Sequence, residues 1–127
     1  MRLLDTSVLV DHLRGFTPAT ALLEQWTGGG ESLVASELTR FELLSGARSG
    51  ELEQLEELFA VPAWVPVTDD VSRRAGAFAR AFRRSHSGIG VVDYLLAGTA
   101  EALDAELVTT NVRHFPMFDG LRPPYPY

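Results

Sequence analysis

The chain has 127 residues, 46% of them hydrophobic, and a formal net charge of −6 from 17 acidic and 11 basic side chains. These values are typical of one globular domain, which we expect to span residues 1–127. Cysteine is absent, which excludes disulfides and thiolate metal sites, and lysine is absent, which excludes the P-loop motif and Schiff-base chemistry.

Apolar residues with strand and helix spacing alternate along the chain, and turn residues separate them. Thr17 followed by Pro18 is a typical helix start. Asp69 or Asp70 is expected to cap the long helix after the third strand, and Pro66 places that strand at an edge. In chain order the predicted elements are a strand at 2–4, helices at 8–13 and 18–27, a strand at 32–35, helices at 38–45 and 51–59, a strand at 64–67, helices at 70–82 and 89–103, and a strand at 106–109.

This alternation predicts an α/β fold with a mostly parallel sheet that helices cover on both faces. Ligands of such sheets bind outside the carboxyl ends of the strands, near the point where the strand order reverses. Asp5 follows the first predicted strand and Asn111 follows the last one, so both are site candidates. Their ordinary alternatives are an N-cap for Asp5 and a turn residue for Asn111.

Two further acidic residues have apolar neighbours on predicted helices. Asp93 shares its helix face with apolar or small residues, so its burial requires a cation or several donors. Its alternative is an acid stabilised by the dipole at a helix N-terminus. Glu42 also has apolar company, although Thr39 and Glu42 fit the S/T-x-x-E capping box. If the three acids and Asn111 converge, their oxygen-only donor set favours Mg²⁺ or Mn²⁺ over zinc.

Four segments are spread along nearly the whole chain: LLDTSVLVD (3–11), TRFELLSG (39–46), GVVDYLLAGTA (90–100) and VTTNVRHF (108–115). In order and spacing these resemble the four blocks of the PIN-domain nucleases, and more closely those of the VapC toxins of bacterial toxin–antitoxin pairs. The resemblance implies a three-layer α/β/α fold, with a central parallel sheet of about five strands and an acidic pocket at its carboxyl edge.

The resemblance also implies that Asp5, Glu42 and Asp93 are the metal-binding carboxylates of a Mg²⁺- or Mn²⁺-dependent endoribonuclease. The first and third are expected to bind directly, whereas Glu42 binds through a water molecule or acts as general base. Thr6 and Ser7 match the hydroxyl positions that support the first aspartate. Clustered carboxylates repel one another, so we expect raised pKa values among them when no metal is bound.

The fourth block of such proteins often has an aspartate at the position of Asn111 or three residues later. Here those residues are Asn111, a possible metal ligand, and His114, which we interpret as a local hydrogen-bonding residue. This departure leaves a second metal site without a firm ligand.

The substrate that the resemblance implies is RNA, cut internally. The acidic net charge argues against broad nucleic-acid binding but not against a local arginine patch. Arg73 and Arg74 are interpreted as a solvated helix face. The candidates for phosphate contact are Arg113, near the pocket in sequence, and Arg80, Arg83 and Arg84, on or just after one helix.

The implied partners are a small VapB-type antitoxin and a second copy of the chain in a homodimer. Apolar helix residues could supply partner surface or simply pack in the core. They are Leu22, Trp26, Leu52, Leu55 and Phe59.

No sequence feature directs the chain to a membrane. Asp5 and Asp11 interrupt the N-terminal residues, which therefore cannot serve as the hydrophobic region of a signal peptide. No apolar run reaches the roughly 18 residues that a membrane span needs. We therefore expect a cytoplasmic protein without a membrane partner.

Two other classes of protein remain as alternatives. A catalytically silent PIN-fold interaction module would keep the fold but typically loses the acids, which are all present here. A receiver-like, phosphate-accepting α/β domain has a similar length and acidic strand ends. It normally needs a lysine near the phosphoryl site, and this chain has none.

Overall fold

Four parallel strands and six α-helices alternate along residues 1–126, the part of the chain that the computed structural model describes. A short 3₁₀ helix follows the last strand. The elements are β1 (Arg2–Leu4), α1 (Thr6–Leu13), α2 (Thr17–Gly28), β2 (Leu33–Ser36), α3 (Glu37–Ser45), α4 (Leu52–Phe59), β3 (Ala63–Val65), α5 (Asp69–Phe82), α6 (Val91–Leu103), β4 (Glu106–Val108) and the 3₁₀ helix Val112–His114.

The strands form one sheet in the order β3-β2-β1-β4, and every neighbouring pair is parallel. β3 lies at an edge as predicted, although it ends at Val65, before Pro66. The strand order reverses between β1 and β4, so the carboxyl ends of these two strands define the crevice in which such sheets bind ligands. The order also differs from the 2-1-3 arrangement of receiver domains, which argues against that alternative.

Side chains of the strands alternate between two cores, one on each face of the sheet. The core on the side of α1 to α4 takes Leu4, Leu33 and Val108. The core on the side of α6 takes Leu3, Val34 and Leu107. This alternation confirms the predicted three-layer arrangement, because the sheet buries apolar side chains on both of its faces.

Close helix packing on the second face depends on Gly98 of α6. A Cβ at this position would lie 2.6 Å from the Val71 carbonyl oxygen and 2.9 Å from the Ala75 amide nitrogen, both in α5. A larger residue would therefore separate the two helices. Residues 83–90 connect the end of α5 to the start of α6, the helix that carries Asp93.

The sheet has four strands within residues 1–126 rather than the expected five or so. The outer edge of β4 faces the C-terminal segment across a cavity of about 590 Å³, which we call the edge cavity. Pro123 and Pro124 of that segment line the edge cavity. Proline has no N–H to donate, so this segment is a poor partner for β4.

Two predicted caps are wrong. The hydroxyl of Thr68 caps α5 and accepts the Val71 N–H at 3.2 Å, whereas Asp69 and Asp70 lie in the first turn. Thr17, predicted as a cap, is instead the first residue of α2. Both differences shift a helix start by one or two residues and leave the order of elements unchanged.

Most of the apolar helix residues considered as partner surface pack in the core. Leu55 is fully buried, and Leu22, Trp26 and Phe59 are partly buried against the same cluster. Leu52 is 59% exposed and remains available to a partner. None of the helices within residues 1–126 combines the length and apolar character that crossing a bilayer requires.

Candidate active site

A cavity of about 420 Å³, which we call the site cavity, opens at the carboxyl ends of β1 and β4. All three predicted carboxylates lie in its wall. Asn111, His114 and the two residues after Asp5, Thr6 and Ser7, also line it. The full lining is Asp5, Thr6, Ser7, Val10, Asp11, Glu42, Asp93, Thr110, Asn111 and His114. The structure therefore brings together every predicted site residue except the arginines.

Asp5 directly follows β1 and caps α1, so both roles considered for it are compatible. Its Oδ1 accepts the Thr6 N–H at 2.8 Å. Its Oδ2 accepts the Ser7 hydroxyl at 3.0 Å and the Thr109 hydroxyl at 2.6 Å. The pKa of Asp5 is raised above its usual value, mainly because the carboxylate is buried. The three hydrogen bonds lower this pKa and the negative charge of Asp93 raises it, but burial has the larger effect. The expected direction is confirmed, but burial rather than mutual repulsion is the main cause.

Asp5 has no cationic partner within residues 1–126, where the ion pairs involve other acids. Asp5 is nevertheless buried, with only 5% of its surface exposed. An ionised carboxylate offers about four lone-pair positions, and three donors occupy part of them. A buried carboxylate with spare acceptor capacity fits a hard divalent cation.

Glu42 lies inside α3, half-buried, and its Oε1 accepts the Thr6 hydroxyl at 2.6 Å. The cap of α3 is Ser36, whose Oγ accepts the Leu38 N–H at 3.1 Å. The alternative interpretation of Thr39 and Glu42 as a capping box is therefore wrong. Thr6, the residue after Asp5, thus links the start of α1 to Glu42 of α3.

Asp93 lies in the first turn of α6, because that helix begins at Val91 rather than at Ile89 as predicted. Its Oδ2 accepts the Gly90 N–H at 3.1 Å, so the helix N-terminus does stabilise it. His114 Nδ1 lies 3.3 Å from the same oxygen, which fits a local hydrogen-bonding role for His114. Asp93 is therefore a helix-terminal acid that also faces the site cavity.

Asn111 follows β4 in the turn before the 3₁₀ helix, and it also lines the site cavity. Within residues 1–126, no three acidic or histidine side chains are close enough to enclose a metal by themselves. Mg²⁺ usually binds one or two carboxylates and keeps several water molecules. Asp5, Asp93 and Asn111 line the same cavity and are the residues that could hold such an ion, together with water molecules.

Thr109 is a site residue that the sequence patterns did not identify. It is fully buried and makes the shortest hydrogen bond to Asp5, across 104 residues of sequence. The strand register explains the contact: Leu4 pairs with Val108, so the next residue of each strand is a neighbour of the other. Its position directly after β4, like that of Asp5 after β1, is the signal that could have revealed it.

The arginines fall into two groups. Arg73 pairs with Asp69 at 2.9 Å. Arg74 pairs with Asp70 at 2.9 Å and with Glu101 at 3.0 Å, which confirms the solvated helix face. Four others have no ion pair within residues 1–126 and lie outside the wall of the site cavity, namely Arg80, Arg83, Arg84 and Arg113.

A three-layer fold with an acidic cavity at the reversal point of its sheet defines the class of protein. The sequence model of the PIN domain matches residues 2–120, and the chain belongs to this family. The chain is similar to Ribonuclease VapC19 of Mycobacterium tuberculosis, with 54% sequence identity over 98% of this chain and 100% of that protein. Ribonuclease VapC10 of the same organism is 42% identical over 98% and 93%.

Solved structures share the fold at lower identity. A toxin–antitoxin complex from Klebsiella pneumoniae has a TM-score of 0.82 at 23% identity, over 98% of both chains. VapBC2 from Rickettsia felis, bound to a DNA fragment from its promoter, has a TM-score of 0.81 at 20% identity, over 94% of both chains. At these identities the likeness concerns the fold, and it agrees with the family assignment.

Proposed function

We propose that this chain is a Mg²⁺- or Mn²⁺-dependent endoribonuclease and the toxin of a VapBC-type pair. The observation that carries the proposal is the buried carboxylate of Asp5, which forms no ion pair within residues 1–126 and shares one cavity with Glu42 and Asp93. The two curated relatives with more than 40% identity are named ribonucleases, which supports the choice of RNA as substrate.

Each side chain of the site has a proposed role in hydrolysis of a phosphodiester bond. Asp5 and Asp93 would hold the cation, and Asn111 is a candidate for a further oxygen ligand. Glu42, oriented by the Thr6 hydroxyl, accepts a hydrogen bond from the attacking water or takes its proton. The chemistry that a bound Mg²⁺ or Mn²⁺ supplies is a lower pKa for water and neutralisation of charge on the phosphoryl group.

The proposed contacts to the RNA backbone are the arginines without ion pairs. Arg83 and Arg84 begin the segment that leads from α5 into α6, toward Asp93. Arg113 lies in the 3₁₀ helix between Asn111 and His114, which both line the site cavity. Because these side chains are not engaged with carboxylates, phosphate contact does not require an existing ion pair to break. Arg80, in the last turn of α5, is the fourth candidate.

We further propose a VapB-type antitoxin as partner, a homodimer as the assembly of the toxin, and the cytoplasm as the place of action. The structural neighbours support the first point, because several are complexes described as VapBC or toxin–antitoxin. Exposed apolar side chains on α3 and α4 are available to such partners. They include Phe41, Leu44 and Leu52.

Cleavage of a labelled RNA pool tests the proposal. Purified full-length chain should cut RNA internally with Mg²⁺ or Mn²⁺ and should stop when EDTA is added. Asp5→Asn and Asp93→Asn should be folded and inactive. Activity that survives EDTA or both substitutions would contradict the mechanism. A folded chain that cuts no RNA with either metal would be the silent interaction module, and sequencing the cut ends would define the cleavage site.

A further inference from the structure

The hydroxyl of Thr109 joins the ends of β1 and β4 through two hydrogen bonds. Oγ1 donates to Asp5 Oδ2 at 2.6 Å and accepts the N–H of Asn111 at 3.0 Å. A hydroxyl has one proton, and here the nearest acceptor for it is the carboxylate. The side chain is fully buried, so water cannot replace either contact without opening the site.

Ser7 makes a second, parallel link between the same two regions. Its Oγ donates to Asp5 Oδ2 at 3.0 Å and accepts the N–H of Thr110 at 3.2 Å. The two hydroxyls thus connect one oxygen of Asp5 to successive backbone N–H groups of the turn after β4. Ser7 lies in α1, two residues after Asp5, whereas Thr109 contacts Asp5 from the end of the neighbouring strand β4.

We propose that Thr109 is a positioning residue of the site, which fixes Asp5 and Asn111 relative to each other. The inference rests on the proposed metal-dependent function and deepens it. The Thr109 hydroxyl restrains two groups: the carboxylate of Asp5, which we expect to bind the cation, and the backbone of Asn111, which we consider as a further ligand. Loss of a hydrogen-bonding partner behind a metal ligand typically reduces metal affinity by about 10- to 100-fold.

Thr109→Val tests this role, because valine keeps the shape of threonine and removes the hydroxyl. We expect the dissociation constant for Mn²⁺, measured on the full chain by electron paramagnetic resonance, to rise at least about tenfold. Amide hydrogen exchange at Asn111 should become faster in the metal-free protein. Thr109→Ser keeps the hydroxyl and should stay within about threefold of the wild type in both measurements.

Thr99→Val is the matched control. Thr99 is 1% exposed, and its hydroxyl donates to the Leu95 carbonyl at 2.7 Å within α6. This variant also removes a buried hydroxyl, so it should lose a comparable amount of thermal stability. A purely structural role for Thr109 would make the two valine variants alike, with Mn²⁺ affinity unchanged in both.

The outcomes separate this inference from the proposed function. If Asp5→Asn loses Mn²⁺ binding while Thr109→Val keeps it, the positioning role is overturned and the metal site stands. If Asp5→Asn binds Mn²⁺ as the wild type does, the metal site and the positioning role both fail. Should Thr109→Val not fold, Thr109→Ala removes the same hydroxyl and decides instead: a loss of Mn²⁺ affinity of at least about tenfold supports the positioning role, and unchanged affinity overturns it.

Discussion

The two cavities beside the sheet differ in how their charges are balanced. In the larger edge cavity, of about 590 Å³, the guanidinium of Arg2 donates to Glu31 at 3.0 Å and to Glu106 at 3.1 Å, and it lies 4.3 Å from the ring of Trp26. The site cavity, of about 420 Å³, contains carboxylates and no arginine in its wall. Unbalanced charge, rather than cavity size, distinguishes the cavity in which we propose the active site.

The largest expected difference between the cavities concerns catalysis. Asp5→Asn should reduce RNA cleavage by more than about 100-fold, because it removes the charge that holds the cation while asparagine can still cap α1. Arg2→Ala should leave kcat/KM within about twofold. Steady-state kinetics with circular dichroism as a folding check would measure both. Equal inactivation by the two substitutions would break the contrast.

Metal binding should stabilise the fold through the site cavity alone. At about 100 times the dissociation constant, a ligand of the native state adds about 2.7 kcal/mol, which corresponds to an increase in Tm of roughly 10 °C for a chain of this size. Differential scanning fluorimetry with Mg²⁺ and then EDTA would show the gain and its reversal. Asp5→Asn should lose the gain and Glu106→Gln should keep it. The opposite pattern would move the cation to the edge cavity.

The pH dependence of stability should also come from the site cavity. Because burial raises the pKa of Asp5 above its usual 3.8, the metal-free folded chain binds this proton more tightly than the unfolded chain. Its contribution is fully present below about pH 3.8 and is lost as pH rises through the folded pKa, by up to about 1.4 kcal/mol per pH unit.

Urea unfolding in EDTA at a series of pH values would measure this contribution as the difference between the wild type and Asp5→Asn. The variant should gain stability relative to the wild type as pH rises. A difference that is constant with pH, or that changes in the other direction, would contradict the assignment to Asp5.

The smallest expected effects distinguish arginines that form ion pairs from arginines that form none within residues 1–126. Arg83→Ala and Arg84→Ala should each raise the KM for RNA a few-fold and reduce the salt dependence of binding by about 0.7 in the log–log slope. Arg73→Ala and Arg74→Ala should leave both unchanged, because their partners are carboxylates on α5 and α6. Equal effects from all four variants would show that ion pairing does not predict which arginines meet the substrate.

The three carboxylates could be predicted from the sequence because each interrupts an apolar segment. Asp5, Glu42 and Asp93 all line one cavity, as expected, and the strand-end position of Asp5 indicated where that cavity would lie. Their individual roles as ligand or base stay predictions. Local pattern was sufficient here because an acid in apolar surroundings is costly wherever the chain places it.

Other features depend on distant contacts or on competition between neighbours. Thr109 is an ordinary threonine until the register of β1 and β4 places it beside Asp5. Thr68 and the two aspartates after it are all good caps, and only the backbone geometry selects Thr68. The resemblance implied about five strands, but within residues 1–126 the outer edge of β4 borders a cavity lined by Pro123 and Pro124, which have no N–H to donate to a strand.

The most direct test of the central claim is a crystal structure of the full chain grown with Mn²⁺, analysed by anomalous scattering. We predict an anomalous peak in the site cavity, about 2 Å from carboxylate oxygens of Asp5 and Asp93. No peak in the site cavity, or a peak only in the edge cavity, from protein that cleaves RNA in the same buffer, would contradict the claim that a divalent cation balances the buried carboxylate.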